Sequence, residues 1–201
     1  MKIRELGQTG IKVSPMGLGT VKFGRDQQLK YPWAFKIPDD QQVLELLSVS
    51  QELGINLLDT APAYGNSEER LGKLLKQRKD WVIISKVGES FENGKSKFDF
   101  SAQTTLKTIQ TSLKRLNTDY LDVVLVHSDG DDQRIIEQED VIETLQKLKQ
   151  QGLIRAIGLS SKTTAGGLWS VEQMDVVMAT RNASDHTDDP VLDRALQINK
   201  G

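Results

Sequence analysis

Apolar residues follow two rhythms along this chain. Short runs in which neighbouring residues are apolar (Leu57-Leu58, Val82-Ile83-Ile84, Val123-Val124-Leu125-Val126, and residues 154–159) have the pattern of strands buried on both faces. Between them, apolar positions recur at helical spacing. Val43, Leu46, Leu47 and Leu53 follow an N-capping Asp39 and stop at Gly54. Leu106, Ile109, Leu113 and Leu116 follow Ser101, and Val141, Leu145 and Leu148 precede Gly152. A helix starting at Ser67 carries Glu68 and Glu69 in its first turn and Lys76, Arg78 and Lys79 near its expected end, both suited to the helix dipole.

The strands are expected at residues 16–20, 55–59, 81–86, 121–127, 154–159 and 174–179. The helix before the sixth is interrupted by Gly166-Gly167, and a last helix starts with Asp189 as N-cap and Pro190 in its first turn. Ahead of these units, residues 3–6 and 11–13 flank Gly7-Gln8-Thr9-Gly10 and predict a β-hairpin. A looser segment, residues 22–38, carries Phe23, Tyr31, Trp33 and Phe35, either a pocket wall or packing on the rim.

Strands alternating with amphipathic helices imply a parallel sheet covered by helices. An open doubly wound sheet and a (β/α)8 TIM barrel both satisfy that pattern. The glycines at 17, 19 and 24 lack the dinucleotide-fingerprint spacing, and no helix is expected directly after them, which favours the barrel. A complete barrel has eight strands over about 250 residues. Six are found here, so strands seven and eight are expected to be missing, and residues 1–201 form one incomplete barrel domain of about six βα units.

Composition narrows the function. The chain has 201 residues, with 26 Lys and Arg against 28 Asp and Glu, a net charge of −2. That balance argues against a nucleic-acid footprint or a polybasic membrane patch. With no cysteine, disulfides, thiolate metal sites and cysteine nucleophiles are excluded. Two histidines, His127 and His186, make a histidine metal cluster improbable. The N-terminus lacks the apolar run of a signal peptide, and no stretch nears the ~18 apolar residues of a membrane span, so the expected location is cytoplasmic. Oligomeric state is left open, although unpaired strand edges would favour association.

In β/α barrels the working residues sit at the C-terminal ends of strands. Those ends carry Gly19-Thr20, Asp59, Lys86, His127, Ser160-Ser161 and the Arg181-Asn182 segment, with Tyr64 one turn beyond Asp59. Singly, each has an ordinary explanation: Asp59 as a turn cap, Tyr64 and His127 as loop residues, Lys86 as a snorkelling surface lysine. Neighbouring strands lie about 4.8 Å apart, so Asp59, Lys86 and His127 can gather around Tyr64. A lysine cation beside the phenol is expected to lower its pKa, an acid would fix the lysine, and a histidine would bond a carbonyl oxygen. This is equipment for protonating an alkoxide as it forms.

These motifs resemble those of the aldo-keto reductase family. They are Leu57-Leu58-Asp59-Thr60-Ala61 with Tyr64-Gly65-Asn66-Ser67-Glu68, then Ile84-Ser85-Lys86, Leu125-Val126-His127 and Ile157-Gly158-Leu159-Ser160. The resemblance implies a catalytic tetrad of Asp59, Tyr64, Lys86 and His127, with Tyr64 as general acid. It implies an NADPH (NADP) cofactor contacted by Gly19, Thr20, Asp59, Ser160, Ser161 and Arg181, and a small-molecule carbonyl substrate. Two positions depart from the pattern. Ser161 stands where many members have Asn, and Arg181 stands where many have a ring-stacking Tyr. A catalytically impaired or regulatory nucleotide-binding relative is the alternative, suited by Arg181 and by the absence of the cofactor-phosphate grip that the family places after strands seven and eight. A Schiff-base role for Lys86 is the third reading, and the neighbouring Asp59 opposes it by keeping the amine charged.

Overall fold

The computed structural model describes residues 1–29, 33 and 35–201. The chain opens with the antiparallel hairpin β1 (Arg4–Glu5) and β2 (Lys12–Val13), then β3 (Gly17–Gly19). Next come α1 (Val21–Gly24), α2 (Asp40–Glu52), β4 (Leu57–Asp59), α3 (Ser67–Leu74), β5 (Val82–Val87) and a second hairpin, β6 (Glu89–Glu92) and β7 (Lys95–Phe98). The remaining elements are α4 (Ala102–Arg115), β8 (Leu121–His127), α5 (Asp132–Gln138), α6 (Val141–Gln150), β9 (Ile154–Ser160), α7 (Thr164–Gln173), β10 (Val176–Met178) and α8 (Asp189–Gln197). Six strands form one parallel sheet in the order β3-β4-β5-β8-β9-β10, the arc of a (β/α)8 barrel carried by this chain.

Period-two alternation divides the strand side chains between two cores. Leu58, Ile83, Val124, Val126, Ile157 and Leu159 pack outward against the helices, with Val43, Leu71, Ile109 and Leu145. Val82, Ile84, Val123, Leu125, Ala156 and Val176 pack inward, where Ile11 and Val13 of the N-terminal hairpin plug the barrel floor. Asp59, Lys86, His127 and Ser160 fall on the inward parity of their strands. Alternation therefore turns all four toward the barrel mouth.

Register aligns those tips. Gly19 pairs with Asp59, Asp59 with Ile84, Lys86 with Leu125, and His127 with Ser160. At the opposite end, buried Asp122 accepts a 3.0 Å bond from Ile83 N and ion-pairs with Arg78 and Arg155, both at 2.8 Å. One carboxylate thus fixes β5 against β8 at the floor, under the site.

Several expectations are corrected. A one-turn helix, α1, does follow the first parallel strand, because Phe23 drops into the core and its N–H bonds Thr20 O at 2.9 Å. The helix begun at Ser67 ends at Leu74, so of the basic residues only Lys73 lies in its last turn. Lys76 lies beyond it, and Arg78 and Lys79 lie in a separate 3-10 turn. The helix interrupted by Gly166-Gly167 forms in full: Thr163 caps it, and a Cβ at Gly166 would collide with the Asp132 carboxylate. The glycines admit a neighbour instead of breaking the helix. The last helix is capped one residue earlier than expected, by Asp188. Two elements went unforeseen, the β6–β7 hairpin and α5. The first was signalled by Asn93-Gly94, whose φ values of 52 and 74 suit a two-residue hairpin turn.

Of the aromatics in the looser segment, Phe23 is a core residue, Trp33 is exposed, and Phe35 lies 4.7 Å from the Lys22 ammonium. Tyr31 lies outside the described residues. Among the described residues no helix is long and apolar enough to cross a membrane.

Candidate active site

The turn after β4 is built to hold its backbone rigid. Thr20 donates its hydroxyl to Asp59 O at 2.9 Å, and Ser67 Oγ lies 2.8 Å from Thr20 Oγ1 and 3.1 Å from Thr60 Oγ1. All three hydroxyl residues are fully buried, so this ladder is closed to solvent. Tyr64 N bonds Ala61 O at 2.9 Å, and the turn then leaves through Gly65 at φ +62. A Cβ at Gly65 would overlap Gly24 O, and one at Gly24 would overlap Tyr64 O. Two glycines therefore bring the Tyr64 loop into backbone contact with α1, which only residues without side chains permit.

Above this floor Asp59, Lys86 and Tyr64 meet. Lys86 Nζ lies 2.5 Å from Asp59 Oδ1, 3.0 Å from Thr60 O and 3.2 Å from Tyr64 Oη. Its side chain is 2 % exposed and that of Asp59 is 25 % exposed. An ammonium so enclosed needs a counter-charge, and Asp59 supplies it. Burial pulls the Lys86 amine below its ordinary range, while Asp59 acts in the opposite sense.

The expected effect on Tyr64 is reversed. Its phenol is pushed well above the ordinary tyrosine value, first by burial and then by the negative charges of Asp59 and Glu89. Two carboxylates and desolvation outweigh the positive charge of Arg25, which acts in the opposite sense. Tyr64 therefore keeps its proton throughout the neutral range, the state a proton donor requires.

His127 stands at the tip of β8 with Nδ1 2.7 Å from Glu89 Oε2. Glu89 also accepts from Ser96 Oγ at 2.5 Å and lies 3.7 Å from Arg25 Nη1. Burial opposes ionisation of Glu89. Bonds from His127 and Ser96, with the positive charges of His127 and Arg25, still hold its carboxyl down at about 2. Arg25 is itself buried, donates to Ala63 O at 3.1 Å, and stacks 3.5 Å from the Phe91 ring centre. Sequence reasoning missed Glu89 and Arg25, since both depend on the unforeseen hairpin.

The structure treats the other predicted residues unequally. A Cβ at Gly19 would meet nothing among the described residues within 4 Å, so they leave space open there. Thr20, by contrast, has its hydroxyl committed to Asp59 and Ser67. Ser160 faces the mouth by parity, whereas Ser161 Oγ is buried near Gly167 of α7 and has no partner among the described residues. Arg181 lies beyond β10, half exposed, and its Nε donates to Asp189 Oδ1 at 2.8 Å. Among the described residues no hydrogen bond or ion pair joins it to the Asp59–Lys86–Tyr64 cluster.

A parallel β/α barrel sheet with a buried ammonium between a partly buried phenol and carboxylate at its mouth defines the class of protein. The model of the aldo/keto reductase family matches residues 15–187, and the chain belongs to that family. A solved structure from Pseudomonas aeruginosa, described as an aldo-keto reductase, superposes with a TM-score of 0.92 at 52% identity over 99% of this chain and 75% of its own. L-galactose dehydrogenase of Arabidopsis thaliana is 36% identical, covering 80% of this chain and 48% of the relative. The NADH-specific methylglyoxal reductase of Escherichia coli is 33% identical, covering 80% of this chain and 52% of the relative. The chain spans about half the length of the curated relatives it matches.

Proposed function

We propose that this chain carries the chemical half of a cytoplasmic carbonyl reductase dependent on a nicotinamide cofactor, NADPH in our reading. Its substrate would be a small aldehyde or ketone. The observation that carries this reading is the Tyr64 hydroxyl 3.2 Å from Lys86 Nζ, which in turn lies 2.5 Å from Asp59. The donor set fits the nicotinamide end of such a cofactor. Ser160 faces the mouth, Ser161 Oγ is a buried hydroxyl without a partner among the described residues, and Gly19 leaves room for close approach. Hydride is the chemistry the cofactor supplies when bound.

The chain's own residues then have distinct tasks. Tyr64 gives its proton to the carbonyl oxygen as negative charge builds there, and Lys86 stabilises the phenolate left behind. Asp59 anchors Lys86 and keeps it cationic. His127 orients the carbonyl. The reading treats residues 1–201 as one incomplete barrel domain, and Arg181, tied to Asp189, as the residue beside the nicotinamide ring.

The test is oxidation of NADPH and of NADH against a panel of aldehydes, with Tyr64→Phe as control. Turnover that falls about a hundredfold or more in the variant supports Tyr64 as the acid. Undiminished turnover would sink the mechanism. Tight nicotinamide binding without turnover in the parent chain would favour a regulatory relative.

A further inference from the structure

One charged residue in the barrel mouth has no part in the reading above. Glu89 begins the β6–β7 hairpin, just past the β5 tip that bears Lys86, with its side chain 10 % exposed. The hairpin is pinned by Arg25, whose guanidinium stacks on Phe91, and by Ser96 on the Glu89 carboxylate. The result is a fixed anion facing the buried Nδ1 of His127 at 2.7 Å, an ion-pair contact in distance though looser in alignment than a regular hydrogen bond. Among the described residues, Nε2 of His127 makes no hydrogen bond.

Ring chemistry limits what His127 can do there. A neutral imidazole carries one N–H and one bare nitrogen. A bare Nδ1 would set its lone pair against the Glu89 carboxylate, so Nδ1 must carry a proton. In a neutral ring that leaves Nε2 bare, unable to donate to a carbonyl oxygen, which only accepts. An imidazolium alone satisfies the carboxylate and still offers an Nε2–H.

We propose that Glu89 is a positioning residue that holds His127 as a doubly protonated imidazolium, with Nδ1 toward the hairpin and Nε2–H offered to the substrate carbonyl. The second ring proton and its value for reduction both rest on the carbonyl-reductase reading, whereas the Nδ1 proton facing Glu89 rests on the 2.7 Å contact alone. The charged and titratable groups around the pair are Arg25 from the segment after α1, Lys86 on β5, Asp59 on β4 and Tyr64 on the following turn. Arg25 and Lys86 oppose a second cation, and the two carboxylates favour it. Glu89 is the anion in direct contact.

Nitrogen-15 NMR of the ring in this chain tests the proposal, and the chain has only two histidines to assign. At pH 7 the wild-type His127 ring is expected to carry protons on both nitrogens. In Glu89→Gln, nearly the same shape without the charge, the ratio of doubly to singly protonated ring should fall on the order of tenfold or more. Glu89→Asp, which keeps the charge, should retain most of it. A singly protonated wild-type ring, an unchanged ratio in Glu89→Gln, or a Glu89→Asp ring indistinguishable from that of Glu89→Gln would each overturn the proposal.

Where aldehyde reduction is measurable, Glu89→Gln should lower kcat/KM for the aldehyde on the order of tenfold to a hundredfold, with nicotinamide affinity unchanged, as for one lost charge-assisted bond. A doubly protonated ring in a chain that reduces nothing would leave Glu89 in this role and remove the reductase reading instead.

Discussion

Asp59 and Lys86 close the tips of two adjacent parallel strands with a 2.5 Å ion pair, and the pair is shared by fold and site alike. The ammonium is nearly sealed while the carboxylate is a quarter exposed. The interaction is therefore unsymmetrical: removing the acid strands a buried cation, whereas removing the lysine leaves a carboxylate that water can reach.

Asp59→Asn should accordingly lower stability by about 3 kcal/mol, the cost of breaking one partner out of a buried pair. Lys86→Met should cost less. The double variant should be more stable than the sum of the two losses predicts, because it removes both charges together. Urea unfolding midpoints of the four proteins measure this, and strict additivity would refute the coupling.

Two buried carboxyls predict opposite pH dependences. Glu89 is held at about 2 in the folded chain against an ordinary 4.5, so its stabilising effect is fully present above 4.5. That contribution is lost as pH falls from there toward 2. Burial raises Glu68 above its ordinary value, with Ser85 and Ser112 acting against the shift. Its contribution is present below 4.5 and is lost as pH rises through the raised value. Glu89→Gln should flatten the acid side of a stability-versus-pH curve. Glu68→Gln should remove the loss above 4.5, and a curve unchanged in either variant contradicts the corresponding assignment.

The turn under Tyr64 should tolerate no side chain at Gly65. With φ at +62 and the Gly24 carbonyl in the way, Gly65→Ala must both strain the backbone and push the loop off α1. A loss of about 2 kcal/mol or more is expected, beyond the modest gain that Gly→Ala gives at unstrained positions. Thermal unfolding and the Tyr64 side-chain resonances check it. An equally stable variant with Tyr64 unmoved would count against the fit.

Ser67 is expected to matter more than its size implies. Its hydroxyl joins Thr20 to Thr60 beneath the site, all out of water. Ser67→Ala leaves two buried hydroxyl groups short of a partner and should cost about 1–3 kcal/mol. Measured by urea unfolding, Ser67→Cys, which keeps the volume but bonds weakly, rescuing less than half of that would show that the bonds, and not the volume, are what count; full rescue would refute it.

Most of the scaffold was legible in the apolar rhythm because burial imposes it. Strands covered on both faces must be apolar at successive positions, and the covering helices must repeat at 3.6. Both signals are local. The same locality put Asp59, Lys86 and His127 at strand ends, and period-two alternation aimed them inward. What failed was also local in origin. Gly166-Gly167 weighed against a helix when judged by propensity alone, yet Asp132 and Val191 fill the space those glycines leave. The basic residues after Leu74 suited a longer helix, but the chain turns there to start β5.

Local spacing along the chain was enough for the six βα units and for Asp59, Lys86 and His127 at strand ends, and the motifs at those ends carried the family resemblance. The electrostatics of the Asp59–Lys86 pair and its neighbours came from the folded arrangement. That Tyr64 holds its proton more tightly than a free phenol, and that Glu89 and Arg25 stand beside His127 and Ala63, depends on distances across strands and on exclusion of water. Neither quantity is a property of residue order. The anchoring of Lys86 by Asp59 was foreseeable; the field in which the pair sits was not, because it is a sum over charges that only folding brings within a few ångströms of one another.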